Sequence, residues 1–597
     1  EASRRFHPGS LEHLLDQRIF TTADVPYRLA GLDATLADPL DTVAFDVDAN
    51  TVARRREREI GGDGLLRRTS DGELYRSTLA DKLLLLLAAK MVNFVPDAGI
   101  WMNTQRPEWN DANNALVGRG ASVVTTAQLL GYVSVVGDLL GSSDVRLSAE
   151  LADLIVNLVA VLRETPATSG ISDAARRGLV QRLGTVGETY RGRVYSGDTG
   201  EPVAVPNATA HEFLSVAASW LEATLRANRR DDGLFHSYNT LAWDDNDVRV
   251  RRLSVMLEGQ VAVLGSGALD ADEALALVRA IRDSALYRPD QHSYLLYPNR
   301  DLPGFLDRNT LATRPEWASL ASLLASRVLV EDASGALHFS ADLSNAGVLA
   351  QRLNELARDP RDGAQIEADR AVILDVYEET FHHAGFTGRS GSFFAYEGLG
   401  SVYWHMVAKL ALSVREATER ARTEGVDADI VRGLADAYVD IRAGLGFAKD
   451  AASYGAFPAD PYSHTPAHAG ARQPGMTGQV KEDILNRLGE LGLRVDEGII
   501  SLSPEGIIAS AWTTQAGVFA YQDITGRERT VDVGAASFAF TFAQVPFVIG
   551  REGQGVTVTG VDGSEQSSSG LALSSEDSRS IIERDGRIEA VRIGCGS

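Results

Sequence analysis

Cysteine is almost absent: Cys595, close to the C-terminus, is the only one in 597 residues. An intrachain disulfide and a cysteine-built zinc cluster are therefore excluded, which fits a reducing compartment and leads us to expect a cytoplasmic protein. Lysine is scarce as well, at positions 82, 90, 409, 449 and 481 only, so arginine supplies the rest of the positive charge. Positive charge as a whole is in deficit, with 58 basic against 81 acidic residues and a net charge of −23. Such a chain repels phosphodiester backbones and anionic lipid, so neither nucleic acid nor a membrane surface is an expected partner. Long apolar runs are missing. Stretches such as 83–89 and 154–162 fall far short of the roughly 20 residues a membrane span needs. The chain opens Glu1-Ala2-Ser3 without a recognisable secretion signal.

What is present is the composition of a globular protein, 44% apolar and 23% charged, in a length that suits roughly two to four domains. Residues 1–75 read as an irregular N-terminal region in which Arg54-Arg55-Arg56-Glu57-Arg58 is a solvated helix face. From Thr78, which looks like an N-cap ahead of a leucine run, apolar residues recur at spacings of three and four. That pattern predicts helices over 125–140, 148–163, 172–182, 208–229, 270–284, 314–329, 345–358, 364–380, 401–422, 428–444 and 479–491. After Leu493 the period shortens. Strands are expected around 498–503, 518–521, 537–541, 545–549, 555–559 and 588–593, with a serine-rich loop at 563–570. The expected fold is mainly α: a helical domain over 76–495, followed by a C-terminal β-sandwich over 496–597.

Three loops combine aromatic, carboxylate, amide and glycine residues. The first holds Trp101, Arg106, Glu108, Trp109, Asn110, Asp111, Asn113 and Asn114. Rings stack on the C–H faces of a sugar while amides and acids bond its hydroxyls, and an acid beside Trp can stay protonated as a general acid must. The second runs from Gly385 through Arg389, Tyr396 and Glu397 to His405; its glycines let backbone approach a ligand, and Glu397 and His405 flank a helix start. The third carries Asp460, His464, His468, Arg472, Gln473, Thr477 and Gly478. Thr477-Gly478 precedes a helix, where backbone N–H groups and a hydroxyl suit phosphate. No carboxylate stands at a zinc-site spacing from the two histidines, so no metal is expected. Asp244-Asp245-Asn246-Asp247 reads as a turn rather than a calcium loop. His236 and Tyr238 are a weaker sugar-contact candidate, or simply a structural loop.

Taken together, the loops resemble the inverting glycoside phosphorylases typified by cellobiose and chitobiose phosphorylase (glycoside hydrolase family 94). Trp109-Asn110-Asp111 with Asn113 or Asn114 is similar to that family's general-acid loop, which implies Asp111 as proton donor. Glu397-Gly398-Leu399-Gly400 followed by His405 resembles its Glu-Asn-Gly-Gly and His segment, implying that Glu397 binds sugar and His405 phosphate. Pro458-Ala459-Asp460 with Met476-Thr477-Gly478 resembles its Pro-Ala-Asp and Tyr-Thr-Gly segments, implying Thr477 and Gly478 at the phosphate. The resemblance further implies an (α/α)6 barrel between β-sandwiches, no cofactor beyond inorganic phosphate as co-substrate, and an oligosaccharide, with β-linked glucose units expected, as the substrate. The related enzymes are commonly dimers, so the resemblance leaves two alternatives for a partner, a second copy of the chain in a homodimer or a missing N-terminal segment. Glu108 stands where the family usually has aspartate, one extra residue lies between the Glu and His motifs, and too little chain precedes Asp111 for an N-terminal sandwich. The last point leads us to expect the C-terminal part of a longer polypeptide. Arg389 and Arg472 are the nearest guanidinium clamps for oxyanions, and Trp101, Arg106, Glu108, Trp109, Asn110, Tyr396, His464 and Gln473 the expected sugar contacts. Two other readings remain open. One is an inverting hydrolase on the same scaffold, with Glu397, Asp460 or Glu378 as a second carboxylate roughly 6.5–9.5 Å from the acid. The other is a non-catalytic carbohydrate-binding helical protein in which Asp111 is a helix cap.

Overall fold

The computed structural model describes residues 2–69, 71–103, 116, 118–197, 200–244, 246–298, 304–381, 402–445, 464–465, 480–507 and 511–596. The chain divides into two compact units. The larger draws on Glu1–Arg106, Val117–Leu296 and Val402–Ser597; the smaller includes Tyr297–Ser401.

In the larger unit the N-terminal residues are more ordered than an irregular region. Tyr27–Leu29 pairs antiparallel with Val43–Phe45, and Asp46 then caps the helix Val47–Ile60 by accepting from the Ala49 N–H at 2.8 Å. Its arginines line the exposed side as expected, with one exception. Arg56 turns inward to Asp24 (2.6 Å) and to the carbonyl of Gly64 (3.1 Å). Gly64 is required there, since a Cβ would lie 2.4 Å from the Arg56 backbone.

The helix Leu79–Met91 starts at a capping box. Thr78 accepts from the Asp81 N–H, and the Asp81 side chain accepts from the Thr78 N–H. Asp81 also accepts from the Ser148 N–H at 2.8 Å, so one carboxylate ties the starts of two helices together. Leu79–Met91, Val123–Leu140, Ala149–Arg163, Asp173–Ser196 and Asn207–Ala227 bury their apolar stripes in a common core. At its centre Trp220 donates to the Leu162 carbonyl at 3.0 Å and meets Phe94 edge-on. Val123–Leu140 is apolar enough by composition to cross a bilayer, with a mean hydropathy of 1.5, but half of it is buried inside this core.

A five-stranded antiparallel sheet lies beside these helices, in the order Phe94–Val95, Gly99–Trp101, Gly120–Ser122, Tyr238–Trp243, Val248–Arg252. Gly99 (φ 117°) lets its strand approach the next, because a Cβ would sit 2.6 Å from the Ser122 carbonyl oxygen. Between the last two strands the Asp244 carboxylate accepts from the N–H groups of Asn246 and Asp247. Helices Leu257–Gly265, Ala271–Asp283, Trp404–Thr423, Ala428–Ala443 and Val480–Glu490 continue the array. The strand Ser293–Tyr294, just before the chain leaves this unit, lies against Val402–Tyr403, just after it returns.

The C-terminal sheet runs Ser537–Phe542, Val545–Gly550, Ile588–Cys595, Gln554–Gly560, Glu565–Ser568, with one parallel pairing between Val545–Gly550 and Ile588–Cys595. Phe547, Ile549, Val591 and Ile593 face a core closed by Ile500 of an outlying hairpin and by Ile581 of the helix Ser575–Glu583. One expectation is corrected here. Residues 563–570 are not a plain loop, because Glu565–Ser568 pairs with the Val556–Thr559 stretch. An edge strand exposed along its length needs only main-chain bonds, so it carries no apolar alternation to betray it.

The smaller unit packs the hairpin Leu329–Glu331 and Leu337–Phe339 on helices Ala346–Leu356 and Gly363–Phe381. Tyr377 donates to the Leu343 carbonyl at 2.6 Å and lies edge-on to Phe339. The helix expected over 314–329 is corrected to Leu320–Ala325. Arg327 adopts a left-handed φ of 58°, which turns the chain into the strand that follows.

Candidate active site

The second and third loops of the sequence frame helices whose first turns meet. His405 lies in the first turn of Trp404–Thr423 and Glu482 in the first turn of Val480–Glu490, the helix that follows Thr477-Gly478. The His405 Nε2 is 3.4 Å from Glu482 Oε1, with 23% of the imidazole and 4% of the carboxylate exposed. Burial alone would push the Glu482 carboxyl up. The hydrogen bond from His405, the carboxylate's own helix-terminal N–H and the charges of His405 and Lys409 outweigh it and hold the group below the ordinary carboxylate range. Its second oxygen, Oε2, is buried and has no hydrogen-bond partner among the described residues.

The backbone just before His405 is fixed by the third loop. Val402–Tyr403 pairs antiparallel with His464–Thr465, placing Tyr403 opposite His464. Further along, Glu490 accepts from Tyr438 (2.7 Å), Arg442 Nη2 (3.0 Å) and Arg487 (3.0 Å), and Arg415 donates to Asn486 at 3.3 Å. These bonds lock Val480–Glu490 against Trp404–Thr423 and Ala428–Ala443. The contact between the two first turns therefore rests on a rigid base.

The first loop departs from an equally tight base. Trp101 is 4% exposed; its indole N–H donates to the Gly118 carbonyl at 3.0 Å and its ring packs on Trp243. It anchors the strand from which residues 104–115 depart. The Met102 N–H donates to the Gly120 carbonyl (2.9 Å) and the Met102 carbonyl accepts from the Gly118 N–H (2.6 Å), while Asn103 donates to Asn93 at 2.8 Å. The turn ahead of that strand is held by Asp97, whose carboxylate accepts from the Gly170 and Ile171 N–H groups and from Arg176.

Of the residues singled out in the sequence, Arg106, Glu108, Trp109, Asn110, Asp111, Arg389, Tyr396, Glu397, Arg472, Gln473, Thr477 and Gly478 lie outside the described residues, and of His464 only the backbone is described. His236 and Tyr238 have structural partners. The His236 ring bonds the Leu253 carbonyl through Nδ1 at 2.9 Å, and Tyr238, 1% exposed, donates to Glu258 at 2.8 Å. Burial, with help from the charges of Arg230 and Arg252, holds the His236 imidazole below its ordinary value despite the Leu253 bond. Among the described residues no three His, Cys, Asp or Glu side chains gather as a metal would require. Glu482 is a site residue that the sequence does not single out. An acid in a helix's first turn is the ordinary partner of the helix dipole, so nothing in the sequence marks it as the neighbour of a histidine 77 positions away.

Residues 302–384 match the family model described as GH149 phosphorylase insertion domain 2, and that stretch falls inside the smaller unit. No curated protein matches the chain. The match supports a glycoside phosphorylase, and with it a role in carbohydrate metabolism. It is to a family 149 domain and does not reach the family 94 assignment expected from the sequence.

Proposed function

We propose that this protein cleaves β-linked gluco-oligosaccharides by inverting phosphorolysis, on an (α/α)6 barrel followed by a C-terminal β-sandwich, with chemistry of the family 94 kind. The observation that carries the reading is the phosphorylase insertion domain at 302–384, lying between the Asp111 loop and His405. Asp111 protonates the glycosidic oxygen as its bond to the anomeric carbon breaks, while a phosphate oxygen forms the new bond from the opposite face. The products are a sugar 1-phosphate of inverted configuration and a shortened acceptor. Phosphate is its own nucleophile, so one acid suffices and no second carboxylate has to activate water. His405, Thr477 and Gly478, with Arg389 and Arg472, neutralise and orient the phosphate, and Glu397 binds the sugar at the reacting centre. Positioning and charge complementarity supply most of the rate in such a site. The strand pairing of Tyr403 with His464 and the contact of His405 with Glu482 support a shared site for the second and third loops.

The test is to incubate the protein with β-linked gluco-oligosaccharides, with and without phosphate. Sugar 1-phosphate should form only when phosphate is present, and Asp111→Asn should abolish it on oligosaccharide. Free sugar released at the same rate without phosphate overturns the reading.

A further inference from the structure

Glu482 has three properties that a merely structural first-turn acid does not need together. It is almost fully buried, it touches a histidine on another helix, and one of its oxygens has no hydrogen-bond partner among the described residues. Leaving a carboxylate oxygen buried and unpartnered is costly, and Glu482 stays ionised there because His405, the helix terminus and Lys409 favour its charged form.

We infer that Glu482 is a positioning residue for phosphate: it holds the His405 imidazole in the orientation that receives the anion. This rests on the phosphorolytic reading above. A carboxylate in direct contact with phosphate would repel it, so its use to the site must pass through the ring between them. A histidine whose Nε2 is held by a carboxylate has its tautomer and ring plane fixed before the anion arrives, and a ring fixed beforehand loses less freedom on binding. The base under this pair is rigid, since Arg415 and Asn486 tie the same two helices together further along. The fixed ring therefore stays fixed when the site is empty.

The experiment compares wild type, Glu482→Gln, His405→Ala and the double variant in phosphorolysis, varying phosphate and oligosaccharide separately. Glu482→Gln keeps the shape and removes the charge. It should raise the KM for phosphate about tenfold, the scale of one hydrogen bond to a charged group, and leave the KM for oligosaccharide within twofold. In the His405→Ala background the same change should cost nothing further, because the ring through which Glu482 acts is gone. An unchanged phosphate KM in Glu482→Gln overturns the inference, as does an effect of equal size in both backgrounds. If Glu482→Gln melts below the assay temperature, Glu482→Asp, which keeps the charge and withdraws it by one methylene, should still raise the phosphate KM, and an unchanged value overturns the inference. A wild type that makes no sugar 1-phosphate overturns the phosphorolytic reading and this one with it. An active wild type with an indifferent Glu482→Gln overturns this one alone.

Discussion

Replacing Arg176 by Met removes the most heavily used guanidinium described in the structure. All five of its N–H groups are engaged: Nε with the Pro96 carbonyl (2.8 Å), Nη1 with the Val248 carbonyl (2.8 Å) and Asp173, Nη2 with Asp97 (3.0 Å) and the Ile171 carbonyl (3.1 Å). Side-chain exposure is 6% for Arg176 and 4% for Asp97. The pair also sits under a strained turn, with Asp97 at a φ of 62°. Methionine fills the space but leaves three carbonyls and a buried carboxylate without their cation. Breaking a buried pair on one side costs about 3–5 kcal/mol, far more than an exposed pair is worth. Asp97→Asn, which keeps the shape, should cost about 1.5–3 kcal/mol, the range for hydrogen bonds to a charged group. The assay is urea unfolding followed by circular dichroism for both single variants and the double. Because the two residues touch, the double should cost less than the sum of the singles by more than about 1 kcal/mol. A loss below about 1 kcal/mol for Arg176→Met, or strict additivity, refutes the claim that this pair clamps the base of the strand leading to residues 104–115.

Three further outcomes follow from the same geometry. Thr78→Ala removes a fully buried N-cap and should cost about 1–2 kcal/mol in thermal or urea unfolding, since the capping box goes with it. His236 is held below its ordinary value of 6.5 by burial, so the unfolded chain binds the proton more readily than the folded one. Its contribution is intact above about pH 6.5 and is lost as the pH falls through the lower folded value; His236→Asn should flatten the decline in stability that begins as the pH drops below 6.5. Tyr377→Phe deletes the buried hydroxyl bonded to Leu343 and should cost about 1–2 kcal/mol, read as faster proteolysis within 304–381 than elsewhere in the chain.

Helices with caps and long apolar stripes were legible in the sequence. Leu79–Met91, Ala149–Arg163, Ala271–Asp283 and Ala428–Ala443 fall within two residues of expectation, because spacing and cap residues are local signals. The central five-stranded sheet was not legible. Phe94–Val95, Gly99–Trp101 and Gly120–Ser122 are two or three residues long and buried throughout, so they show no alternation. The smaller unit escaped notice for a different reason. Its helices Ala346–Leu356 and Gly363–Phe381 carry the same spacing of three and four as the helices around them, and Pro298 and Pro303-Gly304, where the unit begins, have the composition of any loop between helices. Of the candidate site, the loops with concentrated aromatics, amides and glycines stand out by composition; the helix expected from 479 begins at Val480, whereas the one expected from 401 begins at Trp404, after the short strand Val402–Tyr403. The pairing of His405 with Glu482 is a long-range contact, and no local pattern encodes it.

The central claim is that phosphate, not water, accepts the glycosyl group. Phosphorus-31 NMR of the protein with a β-linked gluco-oligosaccharide and inorganic phosphate tests it most directly. A new sugar 1-phosphate resonance should grow as inorganic phosphate declines, and no such signal should appear with Asp111→Asn. Oligosaccharide shortening with the phosphate signal unchanged would contradict it.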